Sequence, residues 1–160
     1  MSKINGNPSE QGYWEERIKL YKDNLADMIF LDPRREDYWG RVKQELQSWP
    51  VLEVLDVCCG YGQFSDMFHS KDYTGIDFSQ GMIELANKLH PDYCFKQMDI
   101  KEISAFDKFD IIFEVNSLRS LGWTSDQFFE KFKPYAKKII ACLECDEFKI
   151  FNIYDRTRKT

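Results

Sequence analysis

The sequence predicts a three-layer α/β fold, with helices on both faces of a mostly parallel sheet. Short apolar runs rich in Val, Ile and Leu recur along the chain, and helical apolar patterns separate them. The first run ends in a Gly-x-Gly turn at Gly60 and Gly62. Strands that alternate with helices favour right-handed βαβ units. We therefore expect a parallel sheet in the order 3-2-1-4-5, with a C-terminal antiparallel strand at its edge and two helices before it.

Length, composition and charge limit the class of protein. A chain of 160 residues predicts one compact domain that can bury a single core. The formal net charge of −5 argues against a general nucleic-acid binder, because Lys and Arg supply most affinity for phosphate backbones. No apolar run reaches the roughly 18 to 20 residues of a membrane span, and the N-terminus lacks the apolar core of a signal peptide. We expect a cytoplasmic enzyme that binds neither nucleic acid nor membrane.

The cysteine pattern predicts reduced thiols and no metal site. The five cysteines stand mostly in apolar strand contexts, without a secretory signal. Cys142 and Cys145 form a Cys-x-x-Cys pair on a predicted strand, where a spacing of three places side chains on opposite faces. No second pair nearby completes a ligand set.

Two helices are predicted ahead of the sheet. Apolar residues recur in steps of four and three over residues 13–30. Asp32-Pro33 then supplies an N-cap and a first-turn proline for a second helix that Pro50 ends. The apolar stripe of this second helix is Tyr38, Val42, Leu46 and Trp49. We assign residues 1–50 to an N-terminal helical segment and residues 51–160 to the core.

The core is predicted to contain six strands and three connecting helices. The strands are expected at residues 51–57, 73–77, 93–100, 109–117, 138–145 and 148–154. The helices are expected at residues 63–69, 80–90 and 126–132. Ser125 is the expected cap of the last helix, and Pro134 stops it. The last strand follows the fifth after two residues, which predicts an antiparallel hairpin.

The first two strands predict a nucleoside site. A strand, glycine turn and helix present backbone N–H groups to an anionic ligand, and glycine allows the backbone to approach it closely. Asp77 ends the second strand, where a carboxylate can accept hydrogen bonds from ribose hydroxyls. The dinucleotide fingerprint GxGxxG is incomplete, because Ser65 stands where its third glycine would be. A nicotinamide-dependent oxidoreductase is therefore disfavoured.

Two motifs carry a more specific resemblance. The first is Asp56-x-Cys58-x-Gly60-x-Gly62 within VLDVCCGYG, and the second is GIDFSQGMIELA at residues 75–86. In this order and separation they resemble the first two motifs of the class I, Rossmann-like methyltransferases that use S-adenosylmethionine (SAM). The resemblance implies SAM as cofactor and methyl transfer as the reaction. The family fold has seven strands and a helix after the fifth, so we expect a shortened version here.

The resemblance also implies roles for individual residues. Asp77 would bind the ribose, Asp99 the adenine amine, and Asp56 would orient the amino group of the methionine half. An aromatic residue of the N-terminal helices, with Tyr21 favoured, would cover the cofactor. The implied cofactor-binding residues are Tyr21, Asp56, Cys58, Cys59, Gly60, Gly62, Asp77, Phe78, Met82, Met98, Asp99 and Ile100.

The methyl acceptor is less defined. Glu114, Asn116 and Arg119 stand at or just after the end of the fourth strand and are the candidate catalytic residues. The motifs of the nucleic-acid enzymes that methylate amino groups or cytosine carbon are absent, which leaves a small molecule, the favoured acceptor, or a protein side chain. The acceptor surface would come from the N-terminal helices, a second copy of the chain or a protein partner. The alternative is a SAM-binding module without independent catalysis.

Overall fold

The central sheet has six strands, and the computed structural model describes residues 6–8, 10–21, 36–50, 52–103 and 108–153 of the chain. The strands are β1 (Val54–Val57), β2 (Tyr73–Asp77), β3 (Cys94–Gln97), β4 (Phe109–Val115), β5 (Ala136–Leu143) and β6 (Phe148–Asn152). They lie in the order β3-β2-β1-β4-β5-β6. All neighbours are parallel except β5 and β6, which are antiparallel. The predicted strand order and antiparallel edge are confirmed.

Five α-helices accompany the sheet in the described residues. They are α1 (Gln11–Tyr21), α2 (Glu36–Ser48), α3 (Gln80–Leu89), α4 (Leu118–Leu121) and α5 (Ser125–Phe132). The predicted end of the first helix and the Asp32-Pro33 start of the second lie outside the described residues. The stripe predicted for the second helix is confirmed on α2, where Tyr38, Val42 and Leu46 are at most 4% exposed.

Two local predictions were wrong. The helix expected at residues 63–69 is one 3₁₀ turn, Ser65–Met67, because Phe68 already has an extended backbone. The cap of α5 is Thr124 and not Ser125: the Thr124 hydroxyl accepts from the Gln127 N–H, and the Gln127 side chain accepts from the Thr124 N–H. This reciprocal pair satisfies two N–H groups that the helix itself leaves without partners.

The core has two layers, one on each face of the sheet. Helices α2 and α3 pack on one face, against residues that include Val54 and Phe113. Helix α5 packs on the other face, where Phe128 and Phe132 contact residues that include Leu55. All four residues of β1 are buried, as expected for a central parallel strand covered on both faces. Because β1, β2 and β4 are parallel neighbours, their carboxyl ends lie side by side at the same edge of the sheet.

Candidate ligand-binding site

A cavity opens at the carboxyl ends of β1, β2 and β4. It contains about 1040 Å³ of empty space, part of it open to solvent. Eight of the predicted cofactor-binding residues line it: Cys58, Gly60, Asp77, Phe78, Met82, Met98, Asp99 and Ile100. Its position follows the general rule that open α/β sheets bind ligands beyond the carboxyl ends of their strands, where the strand order reverses.

Asp77 links three parts of this cavity wall. Its Oδ2 accepts from the Gly60 N–H at 3.0 Å, and its Oδ1 accepts from the Ser79 N–H at 2.9 Å. Burial raises the pKa of its carboxyl to about 6, against the lowering effect of these N–H donors. Ser79 is in turn the N-cap of α3. Asp77 thus fixes the glycine loop to the start of α3, and each oxygen keeps lone pairs for a ligand hydroxyl.

The glycine loop has the backbone that its sequence predicts. Gly60 has φ +56 and Gly62 has φ +78, values that favour glycine. A Cβ on Gly62 would lie 2.6 Å from Phe95 Cζ, so Gly62 packs toward β3. Cys59 is 1% exposed and its N–H donates to the Ile76 carbonyl at 3.0 Å. Neither Cys59 nor Gly62 lines the cavity, and both shape the loop from behind.

Asp56 lies inside β1 and is not part of the cavity wall. Its carboxyl is 1% exposed, and its Oδ2 accepts from the Tyr73 hydroxyl at 2.7 Å. Burial raises the pKa of Asp56 to about 8, with a smaller contribution from the charge of Asp77, while the Tyr73 hydroxyl lowers it. Asp56 therefore lies behind the cavity wall, where it holds Tyr73 in place.

Asp99 lies in the loop after β3. Its Oδ1 accepts from the Lys101 N–H at 2.8 Å, which closes a local turn beside the cavity. The Met98 N–H donates to the Asp77 carbonyl at 2.8 Å and so extends the ladder between β2 and β3. The acidic residues that end β2 and follow β3 are therefore both at the cavity, as the sequence led us to expect.

Aromatic residues of the N-terminal helices cover one side of the cavity. The structure brings Trp14 of α1 and Trp39 of α2 to its wall, together with Pro8. Tyr21 lies instead against Arg17, whose guanidinium carbon is 5.1 Å from the Tyr21 ring centroid. Sequence reasoning missed Trp39, because it neighbours the apolar stripe of α2 without belonging to it.

Two buried polar atoms of this wall lack a hydrogen-bond partner among the described residues. They are the Trp39 Nε1, a donor, and the Gln63 Oε1, an acceptor. The Trp14 Nε1, by contrast, donates to the Pro8 carbonyl at 2.7 Å. Buried polar groups are normally paired, and an unpaired one at a cavity indicates a partner that binds there. A ligand with both an anionic and a cationic group fits this pair.

Glu114, Asn116 and Arg119 differ in their positions. Asn116 lines the cavity in a left-handed conformation, φ +53, and its Oδ1 accepts from the Cys145 thiol at 2.9 Å. Glu114 is fully buried behind Ser117, which lines the cavity. Arg119 points to solvent, with 84% of its side chain exposed and Asp146 at 3.8 Å. Ser117 was not among the predicted residues.

The chain belongs to a known family. The family model of the methyltransferase domain matches residues 54–138, just over half of the chain. This match covers β1 to β4, the glycine loop and the start of β5. The chain is thus a member of the methyltransferase domain family. No curated protein matches it significantly.

Solved structures share the fold. DhpI in complex with S-adenosylhomocysteine (SAH) is 17% identical, with a TM-score of 0.62 over 84% of this chain and 66% of that one. The plantazolicin methyltransferase BpumL with SAH is 26% identical, with a TM-score of 0.53 over 81% and 61%. Magnesium protoporphyrin IX methyltransferase from Synechocystis PCC 6803 with SAH is 16% identical, with a TM-score of 0.55 over 71% and 58%. The chain spans less than two thirds of the length of each.

Two further observations concern the described residues. None of their helices has the length and apolar character that crossing a membrane requires. Within the same residues, no group of three or more His, Cys, Asp or Glu side chains is arranged to hold a metal ion.

Proposed function

We propose that this chain binds SAM and transfers its methyl group to a small-molecule acceptor. The observation that carries the proposal is the cavity in which Asp77, at the end of β2, faces the same space as the unpartnered Trp39 N–H and Gln63 oxygen. A nucleoside that carries an amino-acid tail has ribose hydroxyls for Asp77, a carboxylate for the Trp39 N–H and an ammonium group for the Gln63 oxygen. SAM and SAH have this composition, and SAH is bound in the neighbouring structures.

The residues of the wall divide between the two ends of such a ligand. Those proposed to hold the nucleoside are Asp77, Phe78, Met82, Met98, Asp99 and Ile100, and those proposed for the methionine end are Trp39, Cys58, Gly60 and Gln63. When bound, SAM supplies an electrophilic methyl group on a positively charged sulfur. Asp56, Cys59 and Gly62 would act by holding the loop in shape, and Tyr21 by packing on Arg17.

Binding should relieve a cost that the folded chain bears. A buried donor or acceptor without a partner costs about 1 to 3 kcal/mol. Trp39 and Gln63 each contribute one such atom. A hydrogen bond to a charged group contributes about 1.5 to 3 kcal/mol, so the Trp39 N–H alone can account for roughly a tenfold to hundredfold difference in affinity.

Residues 1–50 are proposed to act as a lid on the cavity. Pro8, Trp14 and Trp39 form part of the wall, and Glu15 of α1 accepts from the Gly81 N–H of α3 at 3.2 Å. This contact joins the lid to α3. Ser79 is the N-cap of that helix, and its N–H donates to Asp77. Closing the cavity in this way would exclude water, which keeps the methyl group from hydrolysis.

A small-molecule acceptor suits the remaining wall. Val115, Ser117, Ser120 and Leu121 line the side next to β4, and they present apolar surface with two hydroxyl groups. BpumL has been solved with a monoazolic desmethylPZN analogue and SAH, and coclaurine N-methyltransferase with N-methylheliamine and SAH. A second copy or a protein partner that completes this surface, and a cytoplasmic location, stay predictions.

The test is calorimetric titration with SAM, SAH, NAD and 5′-methylthioadenosine, which lacks the amino-acid tail. We expect micromolar binding of SAM and SAH, none of NAD, and strong weakening of SAH binding in Asp77→Ala. Trp39→Phe keeps the ring and removes the N–H, so it should weaken SAH binding tenfold or more and leave methylthioadenosine unchanged. Trp14→Phe is the matched control, because the Trp14 N–H is bonded to Pro8, and its affinity ratio for the two ligands should equal that of wild type.

The outcomes separate the alternatives. If the folded protein binds no adenosyl ligand, the proposal is withdrawn. If SAH binds but no acceptor is methylated, the chain is a SAM-binding module. If Trp39→Phe weakens both adenosyl ligands equally, Trp39 packs against the nucleoside and does not bind the carboxylate.

A further inference from the structure

A serine on the cavity wall is backed by a buried carboxyl group. Ser117 lines the cavity beside β4. Its hydroxyl donates to Glu114 Oε2 at 2.6 Å, and its N–H donates to the same oxygen at 2.9 Å. Glu114 itself is 0% exposed and has no direct path to a ligand. The Ser117 hydroxyl thus connects the cavity wall directly to Glu114.

We infer that Ser117 takes the proton from the methyl acceptor and passes its own to Glu114, which acts only through Ser117. This inference rests on the proposed function, and it adds Ser117 as the group that touches the acceptor. Glu114 is then a positioning residue and the final proton acceptor. The arrangement suits acceptors whose nucleophilic O–H or N–H must lose a proton.

The surroundings of Glu114 tune it for this role. Burial, and then the charge of Glu144, raise the pKa of Glu114 to about 8, while the two bonds from Ser117 lower it. The other titratable groups that face it are the thiols of Cys58, after β1, and Cys142, on β5. Burial raises the pKa of both thiols, so they stay neutral. A base with a pKa near the working pH both accepts and releases protons readily.

The second oxygen of Glu114 supports the same reading. Glu114 Oε1 is buried and receives no hydrogen bond from a donor among the described residues. Its carboxyl neighbour is Glu144, and a hydrogen bond between the two groups forms when one of them is protonated, which also raises the pKa of Glu114. A carboxyl group kept only for structure would normally have both oxygens paired. The proton from Ser117 arrives on Oε2, the oxygen that already accepts from the hydroxyl. Because no donor holds Oε1, the ionised form of Glu114 is less stabilised, which favours taking up that proton.

The step balances in atoms and electrons. The acceptor atom forms its bond to the methyl carbon with its own electron pair, and the former carbon–sulfur pair stays on the departing sulfur. The acceptor O–H or N–H bond breaks, its pair stays on the acceptor atom, and its proton moves to Ser117 Oγ. The original Ser117 hydroxyl proton moves to Glu114. The pair ends as a neutral serine and a carboxylic acid, which later releases its proton to solvent.

A purely structural role gives a different expectation. Glu114 accepts from the Ser117 N–H, and Glu144 accepts from the Leu118 N–H at 2.9 Å, so both carboxyl groups cap the short helix α4. Glu114→Gln keeps an oxygen for the cap and removes the ability to take a proton. A cap alone predicts that this variant is fully active at every pH.

The experiment uses two matched acceptors, phenol and thiophenol, with SAM and the full chain. Thiophenol is largely ionised above neutral pH and needs no base. In wild type, phenol methylation should rise with pH to an inflection near 8, as Glu114 ionises. Glu114→Gln and Ser117→Ala should lower phenol methylation about a hundredfold, within the usual contribution of a general base, and lower thiophenol methylation far less. Ser117→Thr, which keeps the hydroxyl, should restore the phenol rate.

Two controls keep the result specific. Ser48→Ala removes an exposed hydroxyl at the end of α2, outside the cavity wall, and should keep the wild-type pH inflection for phenol. Infrared spectra of the SAH-bound protein should show protonated carboxyl absorption that disappears near pH 8. The part due to Glu114 is the difference between wild type and Glu114→Gln, because the Asp56 carboxyl, whose pKa is also about 8, remains in that variant. This second measurement needs no turnover.

Several results overturn the inference. They are an unchanged pH profile in Glu114→Gln, an equal loss of phenol and thiophenol methylation, no infrared band at Glu114, or no methylation of either acceptor by wild type that binds SAH. The last result rejects the relay while SAM binding stands. Absence of SAH binding by folded wild type rejects the proposed function itself.

Discussion

Asp56→Asn tests whether folding binds a proton at the buried Asp56 carboxyl. The Asp56 carboxyl is buried within β1, and burial raises its pKa from 3.8 to about 8. Between these values the unfolded chain is ionised at this residue and the folded chain is not, so folding binds a proton. Stability is then fully present below about pH 4 and falls by about 1.4 kcal/mol per pH unit up to about pH 8. The total is on the order of 6 kcal/mol.

Asp56→Asn removes the one proton that Asp56 takes up when the chain folds. Asparagine is neutral at every pH, and its side-chain oxygen can still accept from the Tyr73 hydroxyl. Asp77 and Glu114 also lose protons in this range, and their effects cancel in the difference between variant and wild type except for the small contribution of the Asp77 charge to the pKa of Asp56. We expect that difference in the free energy of unfolding to shift in favour of the variant by about 1.4 kcal/mol for each unit from pH 5 to pH 8.

The assay is urea unfolding followed by tryptophan fluorescence at pH 5, 6, 7 and 8, at constant ionic strength. Asp92→Asn removes an exposed carboxyl group and is the matched control. Stability curves for wild type and Asp56→Asn that run parallel across this range would refute the reasoning, since they would mean that folding binds no proton at Asp56.

Three further predictions concern stability and are checked by the same unfolding assay. Gly62→Ala forces a Cβ into the left-handed region and to 2.6 Å from Phe95, so it should cost about 2 kcal/mol or more, and a smaller loss would mean that the loop adjusts freely. Thr124→Ala removes the cap shared with Gln127 and should cost about 1 kcal/mol; no loss would show that solvent replaces this cap. Phe132→Ala removes a ring that is 0% exposed and should cost about 3 to 5 kcal/mol, and a loss below 2 kcal/mol would indicate that the core collapses around it.

The fold was largely predictable because its signals are local. Each central strand is an apolar run, and the glycine turn after β1 indicates where the sheet meets a ligand. The hairpin of β5 and β6 followed from the two residues between them. These signals depend on neighbours in the sequence, so they predict the elements themselves. The strand order also needed the rule that crossovers are right-handed and the resemblance to a known family.

The exceptions depend on contacts from elsewhere in the fold. Helix α4 has only four residues and was not predicted, because carboxyl groups on other elements, Glu114 and Glu144, hold its first N–H groups. The 3₁₀ turn Ser65–Met67 replaced a predicted helix for a similar reason: the chain must extend at Phe68 to reach β2. A sequence pattern does not contain these constraints.

The candidate site divides in the same way. Asp77 and Asp99 were predicted from the ends of strands, and the structure places both at the cavity. Trp39, Gln63 and Ser117 carry no motif, and only the folded chain shows them on the same wall. What distinguishes them is their bonding, which appears only once the neighbouring elements are in place.

Several buried polar atoms without a hydrogen-bond partner among the described residues lie at the binding edge, and another, Ser65 Oγ, lies in the 3₁₀ turn after the glycine loop. Tyr38 and Tyr73 are equally buried, but both hydroxyls donate hydrogen bonds inside the protein. Trp39, Gln63 and Glu114 each leave a buried atom without a partner among the described residues, and each lies in or directly behind the cavity wall. Such atoms oppose folding, so replacing one by an apolar group of the same shape should stabilise the free protein while it weakens binding or catalysis. A residue that only packs would lose both properties together, and this difference in sign distinguishes a functional residue from a structural one at this edge.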